Sequence, residues 1–209
     1  MKIAVVCANG KAGRQIVKEA MDRGLDVTAI VRGENRSAAK RAIVKDLFAL
    51  TADDLSGFDA VVDAFGAWAP EELPGHSASL KHLCDALSGT QTRLLVVGGA
   101  GSLYVNAEHT AQVMDGPDFP DAFKPLAGAQ GKALEELRLR NDVRWTFVSP
   151  ACDFQPEGER TGRYLLAGEE LTLNAKGESI ISYADYAIAM VDEITGGHHV
   201  GQRIYVVRA

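Results

Sequence analysis

The alternation of short apolar runs with amphipathic stretches, unbroken from the first residues onward, does most to narrow the folds open to this chain. Ile3 to Cys7 reads as a strand. A helical stretch from about Gly13 to Arg23 then puts Ile16, Val17, Ala20 and Met21 on one face, and Gly24 ends it. Residues 27–31, 42–44, 60–62, 94–97 and 145–148 supply further strands, that at 60–62 preceded by a short acidic helix. A helix from about His76 to Leu87 carries Leu80, Leu83, Cys84 and Leu87 at helical spacing, with His82 on the opposite, wet face. Another runs from about Gln130 to Arg140. Repetition of this kind builds βαβ units around a parallel sheet, and continuously apolar strands require burial on both faces. The expected architecture is therefore α/β, a doubly wound parallel sheet with helices on both faces.

The 209 residues are enough for one such domain, 1–209. Between Gly98 and Ala127 the periodicity fails, and three prolines mark a long loop of the kind that often carries function. Residues from about 150 to 209 are expected to form a smaller, substrate-side region with a strand at 170–173, a helix from Tyr183 to Ile194 and a last strand at 203–207.

Charge and composition exclude several classes of partner. A net charge of −6 without a basic arm or stripe argues against nucleic acid. Met1-Lys2 runs directly into the first strand, leaving no room for a signal peptide, and no apolar run approaches bilayer length, so a cytoplasmic protein without membrane contact is expected. Cys7, Cys84 and Cys152 are too scattered for a disulfide framework, and the His198-His199 pair lacks a third ligand, so no metal site is expected. The sequence leaves the oligomeric state open.

Chemistry first appears between strand one and helix one. Cys7-Ala8-Asn9-Gly10-Lys11-Ala12-Gly13 matches the spacing of a glycine-rich phosphate turn with Cys7 in the first glycine's place. Gly10 would let backbone approach a pyrophosphate and Gly13 would let helix and strand pack closely, while Asn9 is of the type that holds a turn by hydrogen bonding. Lys11 and Arg14 add positive charge. This places a dinucleotide on a Rossmann-like sheet. At the end of strand two stands Arg32, with Arg36 close behind and no carboxylate at that position, which favours NADP(H) over NAD(H) because an arginine fork matches a 2′-phosphate.

The chain resembles an atypical short-chain dehydrogenase/reductase of the NADH-flavin reductase group, within the broader NmrA-like and biliverdin-IXβ-reductase-like proteins. Four stretches carry the resemblance: Asn9-Gly10-Lys11-Ala12-Gly13, Val96-Val97-Gly98-Gly99-Ala100-Gly101-Ser102-Leu103, Trp145-Thr146-Phe147-Val148-Ser149-Pro150-Ala151 and Ile181-Ser182-Tyr183-Ala184-Asp185-Tyr186-Ala187. The loop Gly158-Glu159-Arg160-Thr161-Gly162 is similar as well. The resemblance implies that Asp46 and Leu47 lie against the adenine, that Ala64, Phe65 and Gly66 border its ribose, and that Gly98 and Gly99 line the nicotinamide ribose. It further implies that Ser149, Pro150 and Ala151 carry backbone groups to the carboxamide.

Reductases of the wider superfamily protonate a carbonyl oxygen with a Tyr-x-x-x-Lys pair. Here the corresponding helix reads Ala127-Gly128-Ala129-Gln130-Gly131-Lys132, without the tyrosine, and no catalytic residue is assigned. Hydride transfer to a flavin needs no such acid, so a planar small-molecule acceptor is expected. Trp68, Ser102, Tyr104, Phe154 and Arg160 are the candidate substrate-side residues, the aromatic ones as walls and Arg160 toward an anionic group. Asp63, between apolar neighbours, reads as a buried hydrogen-bonded group or a ribose contact. A dinucleotide-binding redox sensor without turnover, NmrA-like in character, would show the same phosphate turn and the same missing pair.

Overall fold

The computed structural model describes residues 1–209. Its strands are β1 (Lys2–Val6), β2 (Asp26–Val31), β3 (Arg41–Val44), β4 (Ala60–Asp63), β5 (Arg93–Val97), β6 (Arg144–Ser149), β7 (Asp153–Gln155), β8 (Tyr164–Ala167), β9 (Ile180–Ser182) and β10 (Gln202–Arg208). The helices are α1 (Lys11–Asp22), α2 (Ala52–Leu55), α3 (Gly75–Leu87), α4 (Lys124–Arg138) and α5 (Tyr183–Gly196). Eight strands form one sheet in the order β3-β2-β1-β4-β5-β6-β10-β8, parallel except for β8 at the edge. β7 and β9 pair separately.

The order reverses between β1 and β4, as it does in doubly wound Rossmann sheets. Alternation within β1 shows why both faces must be covered. Ile3 and Val5 pack with Ile16, Val17, Met190 and Val191 of α1 and α5, whereas Ala4 and Val6 pack with Leu80, Leu83, Leu134 and Leu137 of α3 and α4. The β1-to-α1 and β4-to-α3 connections thus leave toward opposite faces, and the strands' C-terminal ends flank a crevice.

Several boundaries depart from the sequence expectation. α1 starts at Lys11, two residues early, because Gly10 already serves as its N-cap. α4 starts at Lys124, six residues early: Pro125 lies in its first turn, where no amide hydrogen is required, so the proline opens the helix instead of excluding it. The long loop shortens accordingly and holds two 3-10 turns, Val113–Asp115 and Asp121–Phe123. Residues 170–173 form no strand and make one bridge, Tyr104 to Glu170, while β7, β8 and β9 are additional. His82 is half-buried, its Nε2 2.9 Å from Leu50 O, and does not face open water. Within residues 150–209, α5, β8 and β10 belong to the main sheet and its helical layer.

At the opposite, N-terminal edge of β5 sits a buried ion pair. Arg93 Nη2 donates to Glu193 Oε1 (2.6 Å) and Thr146 Oγ1 (2.8 Å), and Nη1 donates to Glu193 O (2.6 Å). His199 Nδ1 meets the other Glu193 oxygen at 2.7 Å. Burial works against the charge of Glu193, but His199 and Arg93 outweigh it and hold the carboxyl below its ordinary range. No helix is long and apolar enough to cross a membrane.

Candidate functional site

Six connections leave the C-terminal edge of the sheet, after β1 through β6, and every segment with an expected coenzyme role lies there. After β1, Cys7 adopts a left-handed conformation (φ 58°), the one a glycine would take without strain. Its carbonyl accepts from Gly10 N–H at 2.9 Å, closing the turn. A Cβ on Gly13 would stand 2.8 Å from Cys7 O and 3.0 Å from Ala8 Cα, so only glycine lets α1 meet β1 this closely. No side chain caps α1, and the Lys11, Ala12 and Gly13 N–H groups open it without helical partners. Such a terminus favours an anion. Burial, then the nearby Asp63, push the Cys7 thiol up to about 12, so it stays protonated.

Asn9 holds the turn by hydrogen bonding, but through a loop remote in sequence. Its Nδ2 donates to Glu34 O (2.8 Å) and its Oδ1 accepts from Arg36 N–H (2.7 Å), so it ties the glycine-rich turn to the loop after β2. That tie brings Arg36 beside the turn. Lys11, Arg14, Arg32 and Arg36 are all exposed and form no ion pair, whereas Lys18, Arg23, Arg41 and Lys45 on the same side of the sequence each have a carboxylate partner. Arg32 directly follows β2, close enough to Cys7 to act on its thiol.

After β3, Asp46 caps a 3-10 turn, its Oδ1 accepting from Phe48 N–H at 2.9 Å, and Leu47 is buried beneath α3. Both side chains are committed to the fold, leaving their backbone to border the crevice. After β4, Ala64 N–H bonds Val6 O (3.2 Å) and Phe65 N–H bonds Asp63 Oδ1 (3.0 Å). The Phe65 ring lies edge-on to His76 and covers Gly75, so this side chain faces α3, and Gly66 is exposed. After β5, Gly98, Gly99 and Gly101 run against their neighbours without room for side chains. A Cβ would stand 2.2 Å from the Phe147 ring, 2.0 Å from Gln130 Oε1 and 2.5 Å from Ala127 Cβ, respectively. Ala127 fills the place facing Gly101, and Lys132 points to solvent, 3.7 Å from Glu136. After β6, Ser149, Pro150 and Ala151 are buried, so only backbone is on offer; Ser149 Oγ has no partner in the protein.

The substrate-side residues divide. Trp68 stands free at 69 % exposure. Tyr104 stacks on His109 (4.2 Å between centroids) beneath the Arg203 guanidinium, and Phe154 rests on Tyr183 (3.9 Å) and Tyr186 (4.8 Å). Ser102 is buried, with Arg203 Nη1 donating to both its Oγ (3.0 Å) and its carbonyl (2.9 Å), so it belongs to the core and does not face a ligand. Arg160 is latched by Glu19 of α1 at 2.9 Å and is likewise not poised for an anionic substrate.

Two residues of the Ile181–Ala187 stretch, left without a role in the sequence reading, shape the site. Tyr186 Oη and Gly98 N–H both donate to Val148 O, at 2.8 and 2.9 Å, pinning the ends of β5 and β6 together. Asp185, fully buried, accepts from Thr161 N–H (3.0 Å), Thr161 Oγ1 (2.7 Å) and Gly162 N–H (2.9 Å), fixing the loop after β7 to α5. The signal was a polar pair on the apolar face of a helix.

A family model for NAD(P)H-binding proteins matches residues 7–195. The chain belongs to this NAD(P)H-binding family. A curated relative from Bacillus subtilis, uncharacterized protein YwnB, is 47% identical over 99% of this chain and 98% of its own. A crystal structure from Streptococcus pneumoniae, of a protein called "putative NADH-flavin reductase", is 59% identical over 100% of both chains with a TM-score of 0.98. Another, of a "putative epimerase" from Bacteroides thetaiotaomicron, is 31% identical over 99% of this chain and 96% of that one with a TM-score of 0.86. The segments at the crevice of this NAD(P)H-binding protein are those described above.

Proposed function

We propose that the protein is an NAD(P)H-dependent oxidoreductase that prefers NADPH and passes hydride to a planar acceptor, a flavin being the model compound. The observation that carries the coenzyme preference is the group of unpaired cations, Lys11, Arg14, Arg32 and Arg36, around an uncapped helix start. The glycine-lined turn and free N–H groups fit a pyrophosphate, and Arg32 at the end of β2 fits a 2′-phosphate. When bound, the reduced nicotinamide supplies a hydride. The chain's own part is to orient it by backbone at Gly98–Gly99 and Ser149–Ala151 and to wall off the acceptor with Trp68, Tyr104 and Phe154.

The nature of the acceptor follows from what packs beside Gly101. With Ala127 there and Lys132 in solvent, this helix presents no paired acid, which suits an acceptor whose reduction develops no alkoxide. The similar Streptococcus pneumoniae protein, called a putative NADH-flavin reductase, supports the same reaction class. That name gives NADH as the coenzyme, so the preference argued from Arg32 is open to direct test. Purified protein is offered NADPH and NADH with FMN, FAD, riboflavin and a simple quinone, and both nicotinamide oxidation and nucleotide binding are followed. Acceptor-dependent turnover, faster with NADPH, is expected. Tight binding without turnover on any acceptor would replace this reading with that of a redox sensor.

A further inference from the structure

Beside Val97 and Gly98 lies a cavity of about 20 Å³, room for one water molecule. Four polar residues line it, Asp63, His76, Ser79 and Gln130, between the rings of Phe65 and Phe147. Each keeps hydrogen-bonding capacity in reserve. Asp63 takes one bond, from Phe65 N–H. His76 uses Nε2 on Ala67 O (3.1 Å) and leaves Nδ1, and Ser79 Oγ makes a long 3.3 Å bond to His76 O. The Gln130 amide lies against Gly99 Cα and bonds no protein group.

A buried carboxyl with a single hydrogen bond is costly, and a core position would ordinarily be apolar. The register makes the contrast plain: Asp63 pairs with Val6 on one side and Val96 on the other. What distinguishes position 63 is that its side chain bonds one backbone segment of the proposed coenzyme seat and lines a cavity shared with Gly98 and Gln130 of the other side. We propose that Asp63 is the positioning residue of that seat, holding Ala64–Gly66 through Phe65 N–H and Gly98–Gly99 through a water shared with Gln130. This rests on the reading that those two segments seat the coenzyme.

The arrangement makes the seat sensitive to protons. A carboxylate accepts from Phe65 N–H and from the water with its full charge; a carboxylic acid accepts more weakly and turns one oxygen into a donor. Burial raises the carboxyl to about 6, with the Phe65 N–H pulling the other way. The titratable groups around it are the Cys7 thiol of the phosphate turn and, from α3, the Cys84 thiol and His76. Burial keeps both thiols protonated and holds His76 below its ordinary range; α4 and β5 contribute the uncharged Gln130 and Val96. No cation pairs with Asp63.

The test is NADH binding from about pH 5 to about pH 8, because the 2′-phosphate of NADPH itself titrates near pH ~6. Wild-type affinity is expected to fall roughly fivefold as pH drops through the Asp63 transition, the difference between a charged and a neutral hydrogen bond. Asp63→Asn keeps the acceptor and cannot titrate, so its affinity should sit at the weaker level and stay flat. Gln130→Ala is the second variant, expected to weaken NADH roughly threefold or more at neutral pH with its melting temperature little changed. A wild-type pH dependence retained in Asp63→Asn, a flat wild-type profile, or unchanged binding in Gln130→Ala would each overturn the role of Asp63 while leaving the seat standing. Failure of the wild type to bind either nucleotide would overturn the seat and this role together.

Discussion

At the scale of single residues, the proposed site rests on what is absent: side chains at Gly13, Gly98 and Gly99, and a carboxylate at the end of β2, where Arg32 stands. Arg32→Glu is expected to weaken NADPH by roughly tenfold to a hundredfold, the worth of one or two charge-assisted bonds, and NADH far less, read by titrating both nucleotides. Equal loss for the two would remove Arg32 from the 2′-phosphate. Gly13→Ala forces a methyl to 2.8 Å from the Cys7 carbonyl, and about 1–3 kcal/mol of stability should be lost in urea titrations. Much of this was legible in the sequence, since glycine spacing and the arginine after strand two are local facts. The partners of Asn9 were not, because Glu34 and Arg36 lie on a loop that only the fold brings near. Arg160 and Ser102 misled for the same reason, because Glu19 and Arg203, which hold them, are remote in sequence.

At the scale of elements, the helices and strands with strong periodicity sit where the pattern predicts, and the failures fall where a residue has two meanings. Pro125 breaks a helix interior but opens a first turn. Short strands such as β7 and β9, three residues each, carry too little pattern to be read at all. The loop after β7 is instead held by Asp185, whose buried carboxylate takes three hydrogen bonds from Thr161 and Gly162. Asp185→Ala leaves those donors facing an apolar space, so a loss of roughly 2 kcal/mol or more is expected, with faster hydrogen exchange across residues 158–163 than elsewhere.

At the scale of the whole molecule, the buried Arg93–Glu193 ion pair and the proposed coenzyme seat lie at opposite edges of one sheet. Arg93→Ala leaves the buried Glu193 carboxylate at the N-terminal edge to His199 alone, and about 3 kcal/mol should be lost while nucleotide affinity of the folded protein is kept. Asp63 acts in the other sense. Its folded carboxyl titrates at about 6 against an ordinary 3.8, so the native state binds more protons across that window and stability falls as pH rises through it. Above the window Asp63→Asn should be more stable than wild type by up to about 3 kcal/mol, an advantage that fades on acidification and vanishes below about pH 4, followed by urea midpoints against pH. A substitution that strengthens the fold while weakening the coenzyme marks a position kept for function at a cost to stability. The backbone-built seat has a longer-term consequence too. Gly13 and Gly98 meet backbone or a buried ring and leave no slack for a side chain, whereas Trp68, at 69 % exposure, is free to change. On the proposed reading, acceptor range is therefore the trait that can diversify within one scaffold.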